Sequence, residues 1–266
     1  MKEKICSLLP PGKPWGELIH HYNTLESTNT LAKAMAAQGA PQGTVILADH
    51  QTGGRGRRGR SFHSPAGSGI YMSVILRPNC PPGKLMHLTC AAAVAMCYAV
   101  ENVTGLRPGI KWTNDLVFGK RKIAGILTEL GFDTAGNVSY AVVGMGINCT
   151  QSATDFPEDI RDIAASLEMV TGKPIDRSAV AARMIQAMDN INRMLLDFKD
   201  EILNTYRKDC ITLGMDISLI RADGEVRYGK ALDIGEDGAL IVDFGDGKPT
   251  AVSSGEVSVR GMYGYH

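Results

Sequence analysis

The sequence predicts an α+β fold followed by a small all-β domain. Three observations support this fold class. Strand-like segments follow one another without alternating regularly with helices. Residues 85–103 form one long apolar helical segment. After Ile211, short strands alternate with the turn sequences ADGE, EDGA and GDGKP. We therefore expect a first domain over residues 1–211 and a smaller second domain over residues 212–266, packed on the first.

The first elements can be placed from their ends and their composition. A helix is predicted over residues 28–38, TNTLAKAMAAQ, with Ser27 in position to cap its start and Gly39 to end it. A buried strand, VILAD, follows at 45–49, and a second strand, rich in β-branched residues, at 69–78. The segment between these strands is rich in glycine and arginine, which predicts a loop.

The central and later elements follow from hydrophobic periodicity. After the apolar helix at 85–103, strands are predicted over residues 110–118, 122–130 and 138–148, and together they form a meander. Residues 157–209 return to helical spacing, with apolar side chains at intervals of three and four. The first domain is thus a mixed sheet with helices.

Composition excludes several classes of protein. Lys and Arg total 28 and Asp and Glu total 28, so the chain has no net charge with which to coat a nucleic acid. No apolar run is expected to span a bilayer, and the N-terminal residues do not resemble a signal peptide, so we expect a cytoplasmic protein. The six cysteines match no zinc spacing and are predicted to be buried free thiols.

Positive charge is instead concentrated in one loop. Residues 53–62, GGRGRRGRSF, hold four arginines and four glycines, a composition that suits wrapping around an anion with guanidinium and main-chain N–H groups. The pattern is close to both a P-loop and a dinucleotide fingerprint. Both of those motifs require a helix directly afterwards, and the proline and glycines of FHSPAGSG exclude one. We therefore expect a flexible loop that holds a phosphate.

A second concentration of charge lies in residues 111–130, KWTNDLVFGKRKIAGILTEL. Lys111, Asn114, Asp115 and Lys122 occur within strands that are otherwise apolar. A buried charge costs several kcal/mol unless it is paired or functional. One explanation is an ion pair between Asp115 and a lysine at the mouth of a hairpin, and the other is a reactive site.

Six blocks of sequence, taken together and in order, resemble the biotin protein ligases. They are STN from Ser27, QTGGRGRRGR from Gln51, KWTNDL from Lys111, KIAGIL from Lys122, GMGIN from Gly144 and GEVSVR from Gly255. The resemblance implies a core related to the class II aminoacyl-tRNA synthetases, followed by a small SH3-like β-barrel. Many family members have tryptophan where Phe62 stands and proline where Thr113 stands, which affects loop packing but no ionisable group.

The resemblance also implies an activity. Biotin and ATP with Mg²⁺ would form biotinyl-5′-AMP, and a lysine of a biotin carboxyl carrier domain of a carboxylase would then accept the biotinyl group. Arg57, Lys122 and Asp115 would be catalytic, with Lys122 bridging the reacting oxygens and Asp115 orienting or deprotonating the amine. Metal ligands are not implied.

Binding residues are implied in the same way. The polar ureido end of biotin would be held by Ser27, Thr28 and Gln51, and Arg55, Gly56 and Arg57 would close over its carboxylate and the phosphate. The biotin-binding set is Ser27, Thr28, Asn29, Gln51, Gly54, Arg55, Gly56, Arg57 and Lys122. The ATP-binding set is Arg57, Arg58, Lys111, Asn114, Lys122, Asn148 and Arg260, with Asn148 near the adenine and Arg260 reaching ATP from the second domain.

Two other functions remain open at this stage. One is a lipoate or octanoyl ligase, which shares the fold and the acyl-adenylate chemistry. The other is a nucleic-acid binder that uses RGRRGR as an arginine-rich arm. Because few residues precede Ser27, we expect no helix-turn-helix domain and no operator binding. The sequence does not distinguish a monomer from a homodimer.

Overall fold

The structure is a computed structural model that describes residues 1–221, 224–253 and 257–261, the last range for its backbone only. The first part of the chain contains α1 (Lys2–Leu8), α2 (Trp15–Leu18), β1 (Ile19–Leu25), α3 (Thr28–Ala37), β2 (Val45–Gln51), β3 (Gly69–Leu76), α4 (Leu88–Thr104), β4 (Gly109–Lys111), β5 (Asp115–Phe118), β6 (Arg121–Phe132) and β7 (Val138–Asn148). It continues with α5 (Leu167–Thr171), α6 (Arg177–Met194), α7 (Lys199–Asp209), β8 (Asp216–Arg221), β9 (Val226–Ile234), β10 (Leu240–Asp243), β11 (Thr250–Val252) and β12 (Val257–Gly261).

The first seven strands form one mixed sheet in the order β1-β2-β3-β7-β6-β5-β4, which confirms the α+β class. Only β1 and β2 run parallel, and the other neighbours are antiparallel. Strand β1 was not predicted from the sequence. The prediction of one strand over residues 110–118 was wrong, because these residues form the hairpin β4-β5 with a turn at 112–114.

The sheet separates two hydrophobic clusters. One face packs on α4 and α6 in the main core, and the other packs on α3 in a smaller cluster that contains Ile46, Ile75 and Val142. Strand alternation therefore assigns Ser73 and Gly144 to the α3 face, because each lies two residues from a member of that cluster. Since α3 is short, part of this face remains open beyond it.

One helical stretch, Pro82–Thr104, is long and apolar enough to cross a membrane, and 72% of its most apolar window is buried inside the protein. Helix α4 lies within it and packs on α6 and α7. A buried core helix has the same length and composition as a membrane span. All six cysteines are free, as predicted, and five of them are buried; Cys6 is half-buried, contrary to the prediction.

The second sheet is antiparallel, with the order β11-β10-β9-β8-β12. Closure into an SH3-like barrel stays a prediction, as does a domain boundary at 211/212. The sheet is anchored on the first part of the chain by Trp112, whose Nε1 donates to the carbonyl oxygen of Gly238 at 3.0 Å, and by Arg207, whose Nε donates to Asp233 at 3.0 Å. The turn predicted at ADGE lies partly outside the described residues.

Candidate active site

A cleft of about 440 Å³ lies on the α3 face of the first sheet. It brings together segments that are far apart in sequence: the start of α3, the arginine loop, the β4-β5 turn and the glycines of β6 and β7. Most predicted site residues line it. They are Ser27, Thr28, Asn29, Gln51, Arg55, Gly56, Arg57, Arg58, Lys111, Asn114, Asp115 and Lys122.

The arginine loop, residues 53–62, is folded as a small hairpin. The Gly56 N–H donates to the Arg60 carbonyl oxygen at 2.7 Å, and the Phe62 N–H donates to the Gly54 carbonyl oxygen at 2.9 Å. A Cβ on Gly54 would lie 2.4 Å from the Phe62 carbonyl oxygen, so a side chain at this position would break the hairpin. Gly54 therefore shapes the loop without lining the cleft.

The loop arginines have protein partners that were not predicted from the sequence. Arg55 Nη1 lies 3.3 Å from Glu129 Oε1, and Arg57 Nη1 donates to Asn114 Oδ1 at 2.9 Å. The two guanidinium groups thus bind at different places in the cleft, Arg55 beside α3 and Arg57 beside the β4-β5 turn. Closure of both groups over the carboxylate and the phosphate of a bound ligand stays a prediction.

Charge at one end of the cleft, called the cationic end below, comes from the β4-β5-β6 segment. Lys122 Nζ and Asp115 Oδ1 form an ion pair at 2.7 Å, so the pairing raised as one explanation for these residues is present. Both side chains nevertheless line the cleft, as does Lys111. Burial lowers the pKa of Arg57 below its usual value, and the negative charge of Asp115 partly offsets this.

Glycines form the floor between the two ends. Gly125 and Gly146 pair across β6 and β7, and the ring of Phe62 rests on them, since a Cβ on Gly146 would lie 2.6 Å from that ring. Two residues along β7, a Cβ on Gly144 would lie 2.1 Å from Asn29 Oδ1. These glycines allow an aromatic ring and an amide to lie directly on the sheet.

The other end of the cleft, called the neutral end below, presents the uncharged polar side chains of Thr28 and Gln51, with Arg55 beside them. The Thr28 N–H donates to Gln51 Oε1 at 2.9 Å, and Gln51 Nε2 donates to Ser64 Oγ at 3.0 Å, so the amide orientation of Gln51 is fixed. Ser27 begins α3, although its side chain makes no cap hydrogen bond. Such an end suits a neutral ligand group that carries both N–H and C=O.

Sequence reasoning missed three residues beside this end: Lys33, Ser73 and Glu129. Ser73 lies within the mostly apolar strand β3. The only sequence signal for it was a polar side chain among apolar neighbours. Glu129 follows the recognised KIAGIL block in an alternating pattern, and its carboxylate contacts Asn29, Lys33 and Arg55. The signal for Glu129 was a charge in a strand next to a predicted site.

Two predicted ATP-binding residues are not among the described side chains that line the cleft. Asn148 is buried and does not line the cleft; its Nδ2 donates to the Ala165 carbonyl oxygen at 3.0 Å and its Oδ1 accepts from Gln151. The backbone of Arg260 pairs with Ser218 in the second sheet, and its side chain lies outside the described part of the structure. Their roles stay predictions.

Within the described residues, no three His, Cys, Asp or Glu side chains are grouped to hold a metal ion. Asp115 is a cleft carboxylate, and it is already paired with Lys122. Mg²⁺ is commonly held by one or two carboxylates together with substrate phosphates and water. A single carboxylate such as Asp115 suits a magnesium ion whose other ligands are nucleotide phosphates and water.

A cleft with a neutral hydrogen-bonding end, an aromatic and glycine floor, and a cationic end fits a molecule that has a polar head and an anionic tail beside a phosphate. On a mixed sheet of this kind, the arrangement suits a ligase that joins a carboxylate to a nucleotide, in which positive charge stabilises the reacting anions.

The comparisons agree with this class. Residues 22–148 match the Biotin/lipoate A/B protein ligase family, and residues 212–260 match the Biotin protein ligase C terminal domain. The bifunctional ligase/repressor BirA of Bacillus subtilis is 35% identical over 233 residues, which cover 87% of this chain and 71% of BirA. The biotin–[acetyl-CoA-carboxylase] ligase of Mycobacterium tuberculosis is 32% identical, with 94% and 91% covered.

A solved structure supports the same assignment. The biotin protein ligase from Aquifex aeolicus in complex with biotin and ATP superposes with a TM-score of 0.77 and 28% sequence identity, covering 91% of this chain and 98% of that one. The chain belongs to the biotin protein ligase family.

Proposed function

We propose that the protein joins biotin to ATP as biotinyl-5′-AMP, releasing pyrophosphate, and then transfers the biotinyl group to one lysine of a carboxylase carrier domain. The observation that carries this proposal is the single cleft that holds Thr28 and Gln51 at its neutral end and Arg57, Lys111 and Lys122 at its cationic end. The relatives named for acetyl-CoA-carboxylase ligation support the carrier as acceptor.

In the first step, an oxygen of the biotin carboxylate attacks the α-phosphorus, and the bond from that phosphorus to the bridging oxygen of pyrophosphate breaks. Two anions must approach each other, so positive charge at the cationic end lowers the barrier. Arg57, fixed by Asn114, and Lys122, at the edge of the glycine floor, are placed to supply that charge. Mg²⁺ bound to the phosphates would add to it.

The overall reaction has a direct test. Radiolabelled pyrophosphate should exchange into ATP when biotin is present and should not do so with lipoate or without an acid. Exchange with lipoate in place of biotin would identify a lipoate ligase instead. No exchange with either acid would contradict the proposal.

In the second step, the ε-nitrogen of the carrier lysine attacks the acyl carbon and AMP leaves with the bond electrons. The amine must be neutral to attack. After its nitrogen bonds to the acyl carbon, that nitrogen must lose one further proton to give the amide. Asp115 is placed for this role because its carboxylate lines the cleft beside Lys122. Lys122 would then move from Asp115 toward the phosphate during the cycle.

Replacement of Asp115 tests that role. Asp115→Asn should slow transfer from preformed biotinyl-5′-AMP to the carrier by about 10² or more, because general-base assistance is lost. Adenylate formation should fall much less. The two rates are measured separately, by single-turnover transfer and by pyrophosphate exchange. Consumption of preformed adenylate at the wild-type rate would exclude Asp115 from the transfer step.

The arginine loop supplies a second test, because trypsin cuts after arginine. Arg55, Arg58 and Arg60 are exposed. Biotin with ATP and Mg²⁺ should protect the loop almost completely, biotin alone partly and ATP alone little, since the adenylate offers phosphate and acyl oxygens to the loop. Mass spectrometry of the fragments gives the cleavage rates, and lipoate with ATP is the control. Equal rates with and without the adenylate would contradict closure of the loop.

Three further points belong to the proposal. The balance of 28 basic and 28 acidic residues supports a ligase that does not bind DNA specifically. A cytoplasmic location suits an enzyme that uses ATP and whose six cysteines are free. Whether it works as a monomer or a homodimer is answered by the mass of the protein in solution, measured by light scattering with and without biotinyl-5′-AMP.

A further inference from the structure

A chain of polar side chains connects Glu129 to the neutral end of the cleft. Glu129 Oε2 accepts from Asn29 Nδ2 at 3.0 Å, and the hydroxyl of Ser73 lies 2.6 Å from Asn29 Oδ1 and 2.8 Å from Thr28 Oγ1. Ser73 is fully buried, and Thr28 and Asn29 are each 4% exposed. Water therefore cannot readily replace any of these side chains as a hydrogen-bond partner. The direction of each hydrogen bond then fixes the direction of the next.

The direction is set at the Glu129 end. Burial alone would raise the pKa of Glu129, but hydrogen bonds from Lys33 and Asn29 and the charge of Arg55 outweigh burial and hold the pKa below its usual value. The carboxylate is then ionised at neutral pH and can only accept. The Leu127 carbonyl oxygen, 3.2 Å from Asn29 Nδ2, is also only an acceptor. The nitrogen of Asn29 must face both, so its oxygen faces Ser73.

The directions of the remaining hydrogen bonds in this series of side chains follow from the fact that each hydroxyl has a single proton. Ser73 must donate to Asn29 Oδ1, and so it cannot donate to Thr28. The Thr28 hydroxyl donates instead, either to Ser73 Oγ or to Gln51 Oε1, which lies 3.2 Å away. In both cases Thr28 Oγ1 receives no proton from the protein, and it presents its lone pairs to the cleft that it lines.

We propose that Glu129 is a positioning residue that acts through Asn29 and Ser73 to make Thr28 Oγ1 a hydrogen-bond acceptor for an N–H of the ligand. The chain Glu129-Asn29-Ser73-Thr28 is called the polarity relay below. The proposal rests on the proposed function, in which the ligand at this end is the cyclic urea of biotin. A urea presents N–H donors beside a carbonyl, and a reversed relay would place a proton where the ligand also has one.

Glu129→Gln tests the relay with little change in volume. The new amide must place N–H groups either toward Asn29 or toward Lys33 and Arg55, which are donors themselves. We expect the dissociation constant for biotin, measured by titration calorimetry without ATP, to rise about tenfold or more. The dissociation constant for ATP should change less than about twofold. Ser73→Ala breaks the relay in its middle and should weaken biotin binding similarly. It serves as the test variant if Glu129→Gln does not fold.

A double-mutant cycle separates the relay from a general structural effect. Thr28→Val removes the acceptor, so adding Glu129→Gln to it should weaken biotin binding no further. Lys33→Arg is the matched control, because it changes a side chain that contacts Glu129 but keeps a cation there and leaves the hydrogen bond from Asn29. It should change biotin affinity less than about twofold.

The outcomes separate the two proposals. If the wild-type protein binds no biotin, the proposed function fails. If the wild type binds biotin, the relay is overturned by Glu129→Gln binding as tightly as wild type. It is equally overturned if the loss caused by Glu129→Gln is as large in the Thr28→Val background as in the wild type.

Discussion

Lys122→Met should reduce the formation of biotinyl-5′-AMP by about 10² or more while the protein stays folded, since one preorganised cationic group in an active site is worth that much. Methionine keeps most of the side-chain volume over Gly125 and Phe62, so packing changes little. The rate is measured by biotin-dependent pyrophosphate exchange. Lys120→Met, an exposed lysine in the same β5-β6 hairpin, is the matched control and should be close to wild type.

The ion pair with Asp115 makes a second variant necessary. Removing Lys122 leaves the Asp115 carboxylate without its cation at 2.7 Å, and that negative charge alone could repel ATP. The double variant Lys122→Met with Asp115→Asn removes both charges. If Lys122 acts on the reacting oxygens, the double variant remains as slow as the single one. Recovery of adenylate formation in the double variant would show that Lys122 only neutralises Asp115.

The sequence predicted those parts of the fold that depend on local patterns. Helix α3 and strands β2, β3 and β7 are found within a few residues of their expected bounds, because apolar periodicity and end residues define them. β1 was missed because IHHYNTL is polar and half-exposed at the edge of the sheet. The split between β4 and β5 was missed because the turn at 112–114 contains neither glycine nor proline.

The site was predictable where a residue type is unusual for its position. The arginine loop, Asp115 and Lys122 stand out as charges among apolar or glycine-rich residues, and most of the predicted residues do line one cleft. Ser73 and Glu129 could not be connected to Thr28 from the sequence. They lie on strands β3 and β6, separated by β7, and only the strand register places them around Gly144.

Arg57→Lys should fail to preserve activity even though it keeps the charge. The planar guanidinium of Arg57 donates to Asn114 Oδ1 at 2.9 Å, and Asn114 is itself fixed because its Nδ2 donates to the Ile126 carbonyl oxygen at 3.0 Å. A guanidinium fork can hold this partner and a phosphate oxygen in one plane. The single nitrogen of lysine cannot do both in that geometry. We expect adenylate formation to fall by about 10- to 100-fold, a loss equivalent to one or two charge-assisted hydrogen bonds.

Asn114→Ala distinguishes the charge of Arg57 from its placement. If Asn114 orients the guanidinium, this variant should lose several-fold in adenylate formation and should release biotinyl-5′-AMP faster, because the loop loses the contact that holds Arg57 over the cleft. Combining Asn114→Ala with Arg57→Lys should then add little, since both changes remove the same oriented donor. Single-turnover adenylation and the rate of adenylate release provide the measurements. Wild-type rates in Arg57→Lys would show that only the charge at this position matters, and that the fork held by Asn114 has no part in the reaction.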